Sequence, residues 1–98
     1  MYKNKTEGVI LTTDMSSRET RPQNGTDFQC HELQKIVGGH FELVRLMGGH
    51  YMVVNEDGHS LGLPYNLFAT QYLRQFGMEH QGEPILGDVL ICHKDAIR

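Results

Sequence analysis

The sequence predicts an α+β fold: an antiparallel or mixed sheet packed with two helices. Three observations predict it. Apolar, β-branched or alternating runs recur at 9–14, 40–63 and 85–93. Two stretches, near 27–37 and 67–76, carry apolar residues at helical spacing instead. Gly-Gly pairs, Asn-Gly, Asp-Gly and Pro separate these segments with turn chemistry. Ninety-eight residues suit one domain, 1–98. The 39% hydrophobic content is low for a globular chain. The polar opening MYKNKTE, 1–7, is therefore expected to be a disordered tail.

"VILTTD" at 9–14 reads as the first strand, bounded by Gly8 and polar residues. The stretch 15–25 has no apolar period and reads as a loop with a short edge strand around 19–21, where Pro22 is tolerated. Asn24-Gly25 is a turn signal. Thr26 and Gln29 have capping-box spacing, which satisfies unpaired amides at a helix start. Cys30, Leu33, Ile36 and Val37 then form one apolar stripe, and Gly38-Gly39 ends the helix.

"HFELVRL" and "HYMVVNE" alternate on either side of Met47-Gly48-Gly49 and predict an antiparallel hairpin. Asp57-Gly58 is a two-residue hairpin turn signal, so "HSLGL" at 59–63 is expected to return as a third strand and complete a meander. Pro64 stops it. Asn66 caps a second helix, 67–76, which Gly77 closes. Met78 to Pro84 is a loop. "ILGDVLICH" at 85–93 is the most apolar run and is expected to be central, with a bulge at Gly87-Asp88.

Gly-Gly-His occurs twice, ending at His40 and His50. In the predicted hairpin His50 lies opposite Leu46 and His40 opposite Asn55 or Glu56. Six strand intervals put the two imidazoles about 20 Å apart. Ligands of one ion lie about 2 Å from it, so the two cannot share a metal. "QCHE" and "ICHK" set a cysteine beside a histidine, but neighbouring strand residues point to opposite faces. No metal site and no cofactor is expected.

Composition excludes several functions. Nine Lys and Arg are scattered against twelve Asp and Glu, a net charge of −3. No basic stripe forms to follow a phosphate backbone, so direct nucleic-acid binding is not expected. No apolar run approaches the roughly 20 residues that span a bilayer, and no signal segment opens the chain. Two cysteines do not make a disulfide framework. A soluble, cytoplasmic, reduced protein is expected.

The stretch "NEDGHSLGLPYN", 55–66, concentrates carboxylates, a histidine, a tyrosine and two asparagines around two turns. It reads as a ligand rim, or as plain turn and cap residues. Glu56, Asp57 and His59 are acid–base types. No nucleophile elbow, phosphate loop or dinucleotide fingerprint accompanies them. The chain is therefore not expected to be an enzyme.

"LQKIVGGHFELV", "NEDGHSLGLPYNLFAT" and "GDVLI" together resemble a family of small domains of unknown function found in phages, plasmids and other bacterial mobile elements. The likeness covers about residues 30 to 92, through Asn55, Gly58, Pro64, Asn66, Gly87 and Asp88. It implies a mobile-element setting and a small accessory protein that binds and disables a host protein, such as a defence component. The second reading is a protein that binds or sequesters a small nucleotide-like ligand, in a polar pocket that a compact dimer forms from His40, Arg45, Asn55, Tyr65 and Asn66. There, Arg and amide groups suit phosphate and base edges, and tyrosine offers a stacking face. A third is a hydrolase using Glu56, Asp57 and His59. A homo-oligomer, most simply a dimer, is expected from the modest core, the open sheet edges and the apolar side chains Phe41, Tyr51 and Met52.

Overall fold

The apolar runs pair with one another. In the computed structural model, which describes residues 7–78 and 84–97, five strands form one antiparallel sheet. They are β1 (Gly8–Leu11), β2 (Ser17–Thr20), β3 (Phe41–Leu46), β4 (His50–Asn55) and β5 (Val89–His93). The order across the sheet is β2-β1-β5-β4-β3. The last strand is thus inserted at the centre, between two hairpins. Its position follows from composition, because a strand covered on both faces and paired on both edges can be apolar throughout.

Two long helices cover the faces. Helix α1 (Cys30–Val37) packs over Ile10, Val53, Leu90 and Cys92 with Leu33 and Val37. On the other face Val9, Leu11, Met52, Val54, Val89 and Ile91 meet Ala69 and Leu73 of α3 (Leu67–Phe76). Successive residues of β1, β4 and β5 alternate between these two cores, as the pleat requires.

The expected α+β architecture is present, with corrections to its elements. The third meander strand does not form. Residues 58–61 make a single helical turn, α2 (Gly58–Leu61). A two-residue hairpin turn needs positive φ at its first central position, and at both in the Asp-Gly type; Asp57 has φ −108°, and Gly58 is not among the positive-φ glycines. The deeper reason is that β5 already occupies the edge of β4. A returning strand would have no ladder to join.

Other boundaries move too. β1 ends at Leu11, where Thr12 turns the chain by accepting and donating around Asp14 and Ser16. The edge strand lies at Ser17–Thr20 rather than 19–21, and pairs with β1. α1 starts at Cys30. Thr26 bonds to Asn24 and Asp27 instead, while Glu32 reaches back to the Gln29 N–H at 2.8 Å. β5 begins at Val89, not at 85. Its approach is shaped by Gly87 at φ +82° and by Ile85, whose carbonyl accepts from Asn66 N–H. Glu7, grouped with the tail, is buried and paired with Arg21 at 3.3 Å. Residues 1–6, and the part of the 78–84 loop at 79–83, lie outside the described residues.

The hairpin register holds as expected: Leu46 faces His50 and Phe41 faces Asn55, with the Glu56 N–H donating to the His40 carbonyl at 3.0 Å. Two of the side chains expected to drive self-association have partners inside the chain. Met52 is fully buried under α3, and Phe41 packs half-buried on the α1 core. β2 and β3 remain the edge strands. No helix among the described residues is long and apolar enough to cross a membrane.

Candidate functional site

Asn55 and Asn66, two of the five candidate ligand-binding residues, serve the backbone. The Asn55 amide donates to the Val37 carbonyl at 3.0 Å and accepts from the Asp57 N–H at 2.7 Å. It ties the end of α1 to the turn after β4. The Asn66 amide donates to the Leu11 and Gly87 carbonyls at 3.0 and 2.8 Å and caps α3 by accepting from Ala69 N–H at 2.8 Å. Both are buried, with their amides engaged by the backbone. Tyr65 is exposed and its backbone bridges Leu86. The five do not converge: Arg45 lies near the tip of the β3–β4 hairpin, and His40 at its opposite end.

At the far end the turn held by Asn55 sets Glu56 and Asp57 beside His40. His40 Nδ1 is 3.4 Å from an Asp57 oxygen and 4.0 Å from a Glu56 oxygen. Their ligand-type atoms lie within 4.8 Å of one another, so these three side chains could hold a cation between them. All of them are open to solvent. The imidazole set against these carboxylates is thus His40, which the pairing of β3 with β4 supplies, and not the sequence neighbour His59. Beside them Glu42, Val44, Val54, Glu56, His59 and Ile85 line a groove of about 160 Å³.

The hairpin tip is different in chemistry. Arg45 and Tyr51 face each other across β3 and β4. His50 pairs with His93 across β4 and β5, their rings edge-on with centroids 5.3 Å apart. The Gly49 carbonyl accepts from Lys94 N–H at 2.9 Å, which anchors the start of the turn after β5 beside the hairpin loop. Arg45, His50, Tyr51, Lys94, Gly49 and Met78 line a groove of about 290 Å³, with no carboxylate among its described lining residues. His93 stands behind it. Its Nδ1 accepts from Asp95 N–H at 3.0 Å, which ties the ring to the turn that follows β5. Sequence spacing could not bring Lys94 to Arg45. The two meet because β5 enters the sheet next to β4. The one cue was the glycine pair before His50, which makes the tip loop tight.

Of the two thiols, Cys92 lies fully buried in β5, and burial pushes its pKa up to about 12. It is protonated and inert near neutral pH. Cys30 is exposed at the start of α1.

No curated protein and no solved structure matches the chain. A family model described as a domain of unknown function (DUF3846) matches residues 7–97. That span takes in both hairpins, both long helices and the central strand, and the chain belongs to the DUF3846 family of domains of unknown function.

Proposed function

We propose that this domain is a non-enzymatic binding protein that captures an anionic, nucleotide-like molecule in the groove at the hairpin tip. One observation carries the reading: Arg45, Lys94, His50 and Tyr51 come from three different segments and line one concavity, and among the described residues no carboxylate lines it with them. In a chain of net charge −3 such a gathering of cationic groups runs against the average. A guanidinium and an ammonium suit phosphate oxygens, the imidazole adds a hydrogen bond, and the phenol ring offers a face for a base. The volume is near the roughly 300 Å³ at which small-molecule sites begin. Of the candidate residues read from the sequence, Arg45 keeps its role. Tyr51 takes the place of Tyr65, and Lys94 replaces the asparagines. In the setting implied by the family resemblance, a phage or other mobile element would use the protein to occupy a host molecule.

The test is thermal shift and calorimetry with AMP, ADP, ATP and inorganic phosphate. A ligand at about 100 times its Kd raises stability by about 2.7 kcal/mol. For a chain of this size that lifts Tm by roughly 10–20 °C. Arg45→Ala and Lys94→Ala each weaken binding by about tenfold or more. No stabilisation by any nucleotide, together with no ultraviolet-absorbing ligand released from heat-denatured protein, overturns the reading.

A further inference from the structure

The groove at the opposite end of the hairpin has the reverse chemistry. We propose that it seats one arginine side chain of a protein partner. Its floor is apolar, formed by Val44, Val54 and Ile85, and its rim carries Glu42 and Glu56. Glu42 pairs with Val54 across β3 and β4. Glu56 lies two residues beyond Val54, in the turn just past the end of β4, and its carboxylate lines the same groove as that of Glu42. A planar guanidinium spans such a pair, with one edge to each carboxylate, and its aliphatic stem lies along the apolar floor.

Charge complementarity selects this occupant. Among the described residues no Lys or Arg lines the groove. Glu42 makes no side-chain hydrogen bond or ion pair with any described residue. The basic group beside Glu56 is His40 at 4.0 Å, which is positive only when protonated. Two carboxylates above a greasy floor, without a fixed cation, are incomplete as an electrostatic unit. The volume of about 160 Å³ suits one long side chain rather than a whole small molecule. The site is also held in shape. Asn55 uses its amide to pin the chain on both sides of Glu56. The far wall is close-packed, since a Cβ on Gly58 would stand 3.1 Å from Leu86 Cβ. Little ordering is left for a partner to impose on binding.

This inference does not depend on the nucleotide groove, which lies at the other end of the same strands. The experiment titrates ¹⁵N-labelled protein with blocked Gly-Arg-Gly, and with Gly-Lys-Gly, Gly-citrulline-Gly and Zn²⁺ as separate arms. The arginine peptide is expected to give saturable amide shifts at Val44, Val54 and Gly58, with weaker shifts from the lysine peptide and none from citrulline. Glu42→Gln and Glu56→Gln each weaken the arginine response by about fivefold, and added salt weakens it further. Both replacements are isosteric and exposed, and the dispersion of the same spectra verifies the fold. An equal response to citrulline, no response to the arginine peptide, or shifts confined to His50 and Lys94 overturns the proposal. A response to Zn²⁺ alone, through His40, Glu56 and Asp57, overturns it in favour of an inorganic cation.

Discussion

Asn66 shows how much a single buried amide can organise. Its oxygen caps α3, and its nitrogen holds the end of β1 and the approach to β5. Removing it takes a hydrogen-bond partner from one amide and from two carbonyls in a buried site. Each buried orphan costs about 1–3 kcal/mol, and a lost cap about 1 kcal/mol. Asn66→Ala is expected to cost about 3 kcal/mol or more, which urea unfolding would measure. Asn66→Asp separates the two roles. It keeps the cap but turns a double donor into an acceptor facing two carbonyls, so it is expected to be nearly as damaging. Full stability of the Asn66→Asp variant would contradict this account. The same reasoning explains why Asn55 and Asn66 looked like binding residues in the sequence. Amide side chains that complete a backbone and amide side chains that read a ligand have the same letter.

At the scale of elements, the glycines that end helices act for different reasons. Gly62 ends α2 at φ +67°, and a Cβ there would meet nothing within 4 Å. Gly77 ends α3 at φ −72°, a conformation open to any residue, but a Cβ would stand 2.6 Å from the Leu73 carbonyl oxygen. Gly62→Ala therefore costs only the left-handed penalty, about 1–2 kcal/mol, and Gly62→Asn recovers part of it. Gly77→Ala forces the end of α3 away from its own last turn. That end also carries the Phe76 carbonyl, which accepts from Met47 N–H at the hairpin tip. The expected loss is about 1–3 kcal/mol, and Gly77→Asn gives no relief. Denaturation midpoints of the four variants decide it: asparagine should help at 62 and not at 77.

The whole molecule is built around β5, and its cysteine reports on global opening. Cys92 lies at 0% exposure in the central strand, paired with β1 on one side and β4 on the other. No local fraying exposes it, because both neighbours must separate first. Cys30 is exposed. Alkylation at about pH 7.5 is expected to label one thiol per chain quickly and the second only at the rate of global unfolding. Denaturant should speed the second alone. The sign of the pH effect follows from the raised thiol. An unfolded cysteine ionises near about 8.5, whereas Cys92 resists until about 12. Its contribution to stability is intact below the unfolded value and is lost as pH rises from about 9 toward 12. Stability that stays flat across that window, or immediate labelling of both thiols, would show that β5 is not sealed.

Several features of this protein were decided locally and were legible in the chain. Asn66 before an apolar helical stripe places α3 at Leu67–Phe76. The alternating runs around Met47-Gly48-Gly49 give the β3–β4 hairpin and its register. The apolar run ending in "VLICH" marks a central strand, because only a strand shielded on both faces and both edges keeps such a composition. These signals depend on neighbours a few residues apart. The fate of "HSLGL" was settled elsewhere. Asp57-Gly58 is a hairpin signal in isolation, but β5 holds the adjoining ladder, and the segment closes into a helical turn against Leu86. The candidate sites were settled in the same way. Arg45 and Lys94 are far apart in the chain and share a groove only because the last strand enters between the two hairpins. His40 meets Glu56 and Asp57 through cross-strand pairing and the Asn55 clamp. Local chemistry sets which segments are strands, helices and turns. Which side chains converge is set by strand order, a property of the whole sheet that no short window of sequence contains.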